Sequence, residues 1–431
     1  MDTRSELSPE EAGPAARTDL LRRAALALLM AVVFVAVIYP ETFITSFPLI
    51  GSEWTSPMTL LMAPVILVTA AIVWRERGRI GFAPADALLL LFFAYVLARN
   101  VSGLPLFTVK YVVYGVALYY LAAALSARVR DLRRILVFVS LLVAVTAVYG
   151  LAEYAAQANF LYRDVISVIV PKNATHRVSS FLAHPVVFAA FIVQALPFTF
   201  LLWVRGWNRW AALAGAASSL MAVACLFLTS SKGSWITAFA AGVVVAVYFI
   251  RTRGKKSMFI MLAVFLLAAL TAGMYLSRSS LDEIFRTSTS VDVRVASWEA
   301  AVKGIKENPV FGVGLKQGEE EVVEQLPDWW KKLTGFEPPV DNYYLNVVLE
   351  EGIVGGALWL ALMVMILYGG YRAVGLNREG RFIFVAAYLS IIVLALNMLT
   401  FDALLIAPNR VLFWVAAGIL RATYPYDART G

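Results

Sequence analysis

Residues 21–39 read LRRAALALLMAVVFVAVIY. Two arginines, Arg22 and Arg23, lead into an apolar run that no charge divides. A helix rising about 1.5 Å per residue needs roughly 20 apolar residues to cross about 30 Å of hydrocarbon. The basic pair matches the start of a signal sequence, but the run is long and lacks a small-residue cleavage site. The stretch reads as an uncleaved first membrane helix. Runs of the same kind recur along the whole chain.

That recurrence sets the fold class. The 431 residues are 60% hydrophobic and 15% charged, with a mean hydropathy of +0.74. Surface that apolar is out of proportion for a water-soluble core of this size, so the expectation is an all-α polytopic membrane protein. Twelve candidate spans follow: 20–39, 57–74, 84–99, 104–126, 132–154, 185–204, 207–229, 233–251, 257–277, 343–371, 381–400 and 404–421. The third is short. The Pro-bearing stretch YPETFITSFPLIGSEW between the first two is a candidate re-entrant segment. The expected organisation is a disordered tail over 1–19, nine spans within 20–277, a large loop over 278–342, three spans within 343–421, and a tail over 422–431.

The net charge of +8 raises the idea of a nucleic-acid binder. The cations lie in short inter-helix loops rather than on one face, which argues for no nucleic acid and for membrane lipids as the neighbours. They occupy every second loop: Arg75, Arg77 and Arg79, then Arg128, Arg130, Arg133 and Arg134, then Arg205 and Arg209, then Arg251, Arg253, Lys255 and Lys256, then Arg372, Arg378 and Arg381. The positive-inside rule places these loops and both termini in the cytoplasm, which agrees with an even number of spans. A single cysteine, Cys225, and two histidines, His176 and His184, leave no disulfide framework and make a multi-histidine metal centre a poor expectation.

Some ionisable groups lie where this topology does not need them, on the outward side. They are Arg177, Lys232, Arg294 and Asp341, with Lys110, Glu153 and Arg410 at the outer edges of spans. Charges at such depth are costly and are usually paired or functional.

Four stretches hold them. HRVSSFLAHPVVFAAF (176–191) sets Arg177 in a polar turn before Pro185, which suits the first turn of a helix. The arginine is equally suited to capping a neighbouring helix or pairing with Glu153. LTSSKGSWITAF (228–239) surrounds Lys232 with small hydroxyl residues at a helix start, a setting fit for a phosphate. The plainer reading is a tight turn whose lysine reaches the lipid head groups. DVRVASWEAAVKGIKENPVFGVGLKQG (292–318) reads as an amphipathic helix starting near Arg294, with Val295, Trp298, Val302 and Ile305 on one face and Asn308-Pro309 as its stop. PPVDNYYLNVVLEEGIVGG (338–356) puts Asp341 where a helix N-cap is expected, ahead of Asn342, Glu350 and Glu351.

Three cations and a carboxylate on one side of a membrane match the needs of glycosyl transfer from a lipid-linked diphosphate sugar. The cations hold the diphosphate and the carboxylate accepts a hydroxyl proton. In this order the four stretches resemble the O-antigen ligase and O-antigen polymerase superfamily, multi-span bacterial inner-membrane glycosyltransferases of the GT-C type. The resemblance runs from about residue 176 to 356. It implies an undecaprenyl-diphosphate-linked oligosaccharide donor at the periplasmic face. The acceptor would be a lipid-linked glycan for a polymerase or lipid A-core for a ligase. It also implies inversion at the anomeric centre, with no metal and no cofactor. The family's donor-diphosphate arginines fall on Arg177, Lys232 and Arg294. Asp341 and Arg294 become the catalytic pair, with Lys110, Arg410, His184 and Asn342 as secondary candidates.

Two departures stand out. Lys232 replaces the family's usual arginine, which keeps the charge and loses the bidentate fork. Asp341-Asn342 replaces the His-Asn pair of the ligases, which favours a repeat-unit polymerase, with a separate chain-length regulator left open as a partner. The rival classes are a transporter or flippase, whose polar groups would gather near the bilayer midplane, and a structural scaffold for an export complex.

Overall fold

The computed structural model describes residues 14–39, 56–80, 82–102, 105–162, 176–240, 242, 288–326, 340–375 and 380–421. Regular structure in them is entirely helical. Thirteen helices are used below: α1 (Pro14–Ile38), α2 (Pro57–Ile80), α3 (Pro84–Asn100), α4 (Pro105–Leu125), α5 (Val129–Ala156), α6 (Pro185–Arg205), α7 (Arg209–Leu228), α8 (232–240), α9 (Ser288–Glu307), α10 (Gly318–Gln325), α11 (Tyr343–Gly375), α12 (Arg381–Asn397) and α13 (Ala407–Arg421). Among the described residues seven helices are long and apolar enough to cross a membrane, and α12 is a shorter apolar one. The chain is a multi-pass membrane protein. Most of the two expected spans 233–251 and 257–277, the stretch 40–55, and the loop parts 278–287 and 327–339 lie outside the described residues.

The helices behave as hydrocarbon solvent requires. On α5, Leu141, Val145 and Val148 face outward while Val139, Val143 and Ala147 are buried. A helix apolar on both faces has one for lipid and one for its neighbours. The innermost helix is α6, with Phe188, Phe191, Ile192 and Phe198 all buried. An aromatic cluster of Phe92, Phe93, Trp359, Phe413 and Trp414 ties α3, α11 and α13 together, with ring centroids 4.8–6.4 Å apart.

Side-chain pairs mark the two ends of the bundle. One end carries the buried ion pairs Arg22–Glu76 and Arg421–Asp86, each closing to 2.6 Å, and Arg128–Asp19 at 2.6 Å. These residues come from the start of α1 and α3, the ends of α2 and α13, and the turn before α5. The opposite end gathers the end of α3, the end of α7, the start of α8, the start of α11 and the loop between α12 and α13.

At that second end α11 is broken. Gly352 has φ 67° and ψ −175°, a conformation that only glycine adopts readily. A break inside a membrane helix strands backbone groups that lipid cannot satisfy. The segment after α9 satisfies them. Val313 N–H donates to the Leu349 carbonyl (2.9 Å) and Gly314 N–H to the Glu350 carbonyl (2.8 Å). In return the Pro309 and Val310 carbonyls accept from Ile353 and Val354 (2.9 and 3.4 Å). Gly312 (φ 68°) lies so close that a Cβ there would run into the Glu350 carbonyl. The side chains of α3 complete the splice: Arg99 donates to the Gly312 carbonyl (3.0 Å), and Asn100 bridges Leu315 N–H (2.7 Å) and Glu351 (2.8 Å). Glu350 accepts Lys316 N–H at 2.9 Å. The sequence segments FGVG and LEEGIVGG are therefore two halves of one joint.

The expected face of α9 is corrected only in part, because Trp298 and Ile305 of the stripe do pack on the cluster of Ala300, Ala301, Val322 and Leu349. The helix starts at Ser288, and Val295 and Val302 are exposed. Its buried face is Ser297, Ala300 and Ala301, and Gly304 packs against Leu349 and Glu321. The approach is closest at Gly304, where a Cβ would lie 2.8 Å from both Glu321 and Leu349.

Candidate active site

Asp341 is not the N-cap of α11. The cap is Asn342, whose Oδ1 accepts from the N–H groups of Tyr344 and Leu345, both at 3.1 Å. Asp341, one residue earlier, has φ 50°, left-handed for a residue with a Cβ. That backbone turn aims its carboxylate at α9, where Oδ2 accepts from Arg294 Nε at 3.2 Å. The two residues expected as the catalytic pair are thus in contact. Burial raises the Asp341 carboxyl above the ordinary range against the lowering pull of the Arg294 guanidinium.

Arg177 is held by a separate device. Glu153, fully buried at the end of α5, accepts from Ser180 N–H (2.7 Å), Ser179 N–H (3.1 Å) and Ser179 Oγ (3.1 Å), and meets His176 Nε2 at 3.2 Å. One carboxylate therefore clamps the loop on both sides of Arg177. Val178 N–H donates to the Leu228 carbonyl at 3.1 Å and Arg177 Nε to the Thr229 carbonyl at 2.9 Å. This fixes Arg177 against the turn that introduces Lys232. Ser180 and Ser230 sit at φ 54° on either side of this contact, paired local strain of the sort found at functional sites.

His184 caps α6, accepting from Val186 N–H through Nδ1 (3.3 Å), and Pro185 is the first helical residue as its position in the sequence predicts. Burial, with the nearby Arg177 charge, lowers its pKa to about 4, so the ring is neutral near pH 7 with its proton on Nε2.

Lys232 is exposed at the start of α8. The next residue packs on the α12–α13 loop: a Cβ at Gly233 would lie 2.6 Å from Thr400 Oγ1. Asn397 Nδ2 donates to Ser234 Oγ at 3.2 Å. The same loop reaches α11, where Tyr343 N–H donates to the Met398 carbonyl at 3.0 Å. A continuous chain of contacts runs from Arg177 through the Lys232 turn and residues 397–402 to Asp341 and Arg294. All four candidates belong to one end of the bundle.

The secondary candidates divide. Arg410 on α13 stacks over the Tyr111 ring at 5.8 Å, and Tyr111 and Tyr343 join their hydroxyls at 3.2 Å. Arg410 therefore adjoins the first turn of α11. Lys110 is half-buried beside Tyr111 on α4. Asn342 is committed to its capping bonds. Glu350 and Glu351 hold the splice.

Sequence reasoning missed the buried group behind Asp341. Asp402, in the α12–α13 loop, and Asn346, on α11, are 4% and 2% exposed. A lone acid in the apolar run NMLTFDALLIAPNR was the available signal. Among the described residues no cluster of three or more His, Cys, Asp and Glu side chains is arranged to hold a metal ion.

No curated protein matches the chain at a significant level. Residues 216–360, about a third of the chain, match the family model described as O-antigen ligase. That segment covers the Lys232 turn, Arg294 with α9, and Asp341 with the broken α11, and over it the chain is similar to the O-antigen ligase family.

Proposed function

We propose that this protein is a glycosyltransferase of the bacterial inner membrane, active at the periplasmic face. It moves a glycan from undecaprenyl diphosphate to a sugar hydroxyl and extends a polysaccharide repeat by repeat. The single observation that carries the reading is the contact of Arg294 with Asp341, a carboxylate that the helix cap does not use. Support also comes from the family match over residues 216–360. The reading takes both termini as cytoplasmic, twelve spans, and residues 278–342 as a periplasmic cover over the site.

In the proposed step Asp341 accepts the proton of the acceptor hydroxyl. The oxygen attacks the anomeric carbon from the face opposite the diphosphate, so the new C–O bond forms as the old one breaks and the centre inverts. The leaving diphosphate carries the charge, and Arg177, Lys232 and Arg294 neutralise it without a metal. Arg294 turns from Asp341 to the incoming diphosphate, which frees the carboxylate when the donor is bound. General-base assistance of this kind contributes about 10²–10⁴ in rate.

Aspartate in place of the ligases' histidine favours the polymerase over the ligase. The test uses purified protein with a lipid-linked repeat unit, with and without lipid A-core. Lengthening lipid-linked ladders are expected. Core-attached glycan with no ladder would make the protein a ligase, and no glycan transfer to either acceptor would overturn the reading.

A further inference from the structure

Asn159 lies just past α5, where Gln157 (φ 52°) ends the helix and turns the chain back over Tyr149. It is 2% exposed, and its amide is used at both ends. Oδ1 accepts from the Tyr149 hydroxyl (3.0 Å) and from the N–H groups of Leu161 (3.0 Å) and Tyr162 (3.1 Å), which closes a tight turn. Nδ2 donates to Ser179 Oγ (3.0 Å) and to the Ser180 carbonyl (2.9 Å). An amide offers an acceptor at one end and two donors at the other, and no other side chain this short does.

The two serines need that grip. Ser180 has φ 54°, and a residue with a Cβ persists there only where its surroundings over-determine it. Its N–H donates to Glu153 Oε2 (2.7 Å), its carbonyl accepts from Asn159, and its hydroxyl donates to the Thr146 carbonyl (2.7 Å). Ser179 passes the contact on: its oxygen accepts from Asn159 while its O–H donates to Glu153 Oε1 at 3.1 Å. Phe181 stacks on Tyr149 with ring centroids 4.5 Å apart, so the tyrosine that donates to Asn159 also carries the next residue of the loop. Glu153 thus holds the loop by its N–H groups, and Asn159 holds it by its carbonyl.

We infer that Asn159 is a positioning residue, which through the Ser179–Ser180 backbone sets Arg177 against the Lys232 turn before the donor arrives. The inference rests on the proposed reading that Arg177 binds the donor diphosphate. On its other side the loop is tied to the end of α7, by Arg177 Nε to the Thr229 carbonyl (2.9 Å) and Val178 N–H to the Leu228 carbonyl (3.1 Å). Without the Asn159 contacts Ser180 can leave its left-handed conformation, and those two bonds lose their register. A cation fixed in advance gives up less freedom when its ligand binds, which is what the asparagine contributes.

Amide hydrogen exchange of the full chain in detergent, without substrate, tests the clamp. Exchange across residues 177–180 is expected to quicken about tenfold in Asn159→Ala, and unchanged exchange overturns the inference whatever the substrate. Affinity for undecaprenyl diphosphate tests what the clamp serves. Asn159→Ala and Arg177→Ala are each expected to lose about tenfold, and the double variant no more than either alone, because the asparagine acts through the arginine. Losses that multiply to about a hundredfold would overturn the positioning role. Asn159→Asp keeps the acceptor of the turn and gives up the donors to the serines, so it is expected to lose affinity as the alanine variant does. Native affinity in Asn159→Asp would assign the effect to the turn and overturn the inference. Should the alanine variant fail to accumulate, the aspartate variant takes its place in the exchange measurement and in the cycle. Quickened exchange with native affinity would leave the clamp standing and take Arg177 off the donor, a failure of the proposed function.

Discussion

Arg294 Nε and Asp341 Oδ2 meet at 3.2 Å across 47 residues of chain. Their helices run alongside each other from that contact: Gly304 packs against Leu349, and the two segments join at Gly312 and Gly352. The α9–α11 pair is thus fixed at both ends, by an ion pair at one and by a backbone splice at the other.

Asp341→Asn is expected to lower chain growth by about 10²-fold or more while the protein accumulates normally in the membrane. Product length and amount measured beside an immunoblot check it. Unchanged polymer would remove Asp341 as the base.

The acid limb of the rate profile follows from the same carboxylate. Activity needs the ionised form, and burial raises its pKa, so the rate should fall with decreasing pH above the ordinary range near 4. Arg294 pulls that pKa down. Arg294→Ala should therefore move the acid limb to higher pH and also weaken donor binding. The kcat/KM profile at limiting donor, where Arg294 still faces Asp341, reads the shift, donor affinity measured separately reads the weakened binding, and a limb moving to lower pH would contradict the pairing.

Glu153→Gln swaps an all-acceptor carboxylate for an amide that presents donors to Ser179 and Ser180 N–H. One buried hydrogen bond becomes a clash of donors, at a cost of about 1–3 kcal/mol. The loop bearing Arg177 should loosen. Affinity for a lipid-diphosphate donor analogue, measured with the purified variant, should drop about tenfold. Unaltered affinity would separate Arg177 from the donor.

Gly352→Ala and Gly312→Ala place a Cβ against the Val310 and Glu350 carbonyls respectively, at backbone angles that disfavour any side chain. The backbone conformation alone should cost about 1–3 kcal/mol at each position. Thermal unfolding in detergent should fall for both. A variant of native stability would show that the splice relaxes easily.

Asn342→Ala removes the cap of α11 and should cost about 1 kcal/mol. Asp341→Ala leaves those capping bonds in place. Comparing the stabilities of the two variants checks which residue caps, and the larger loss is expected for Asn342.

The amino-acid sequence by itself determined the fold class. Apolar runs long enough for hydrocarbon and cations in alternate loops are local properties, readable without knowing any contact. It also located Arg177, Lys232, Arg294 and Asp341, because charges outside the topological pattern stand out one at a time. Tertiary structure decided what each one touches. Asp341 was the expected cap until the structure gave the capping bonds to Asn342 and turned Asp341 away from the helix. Val295 and Val302 matched a helical stripe, but in the structure they are exposed and the buried residues are Ser297, Ala300 and Ala301. Asp402 drew no attention in the sequence, and its burial is visible only in the tertiary structure. A carboxylate's role depends on the donors and charges within a few ångströms, and here those come from distant parts of the chain.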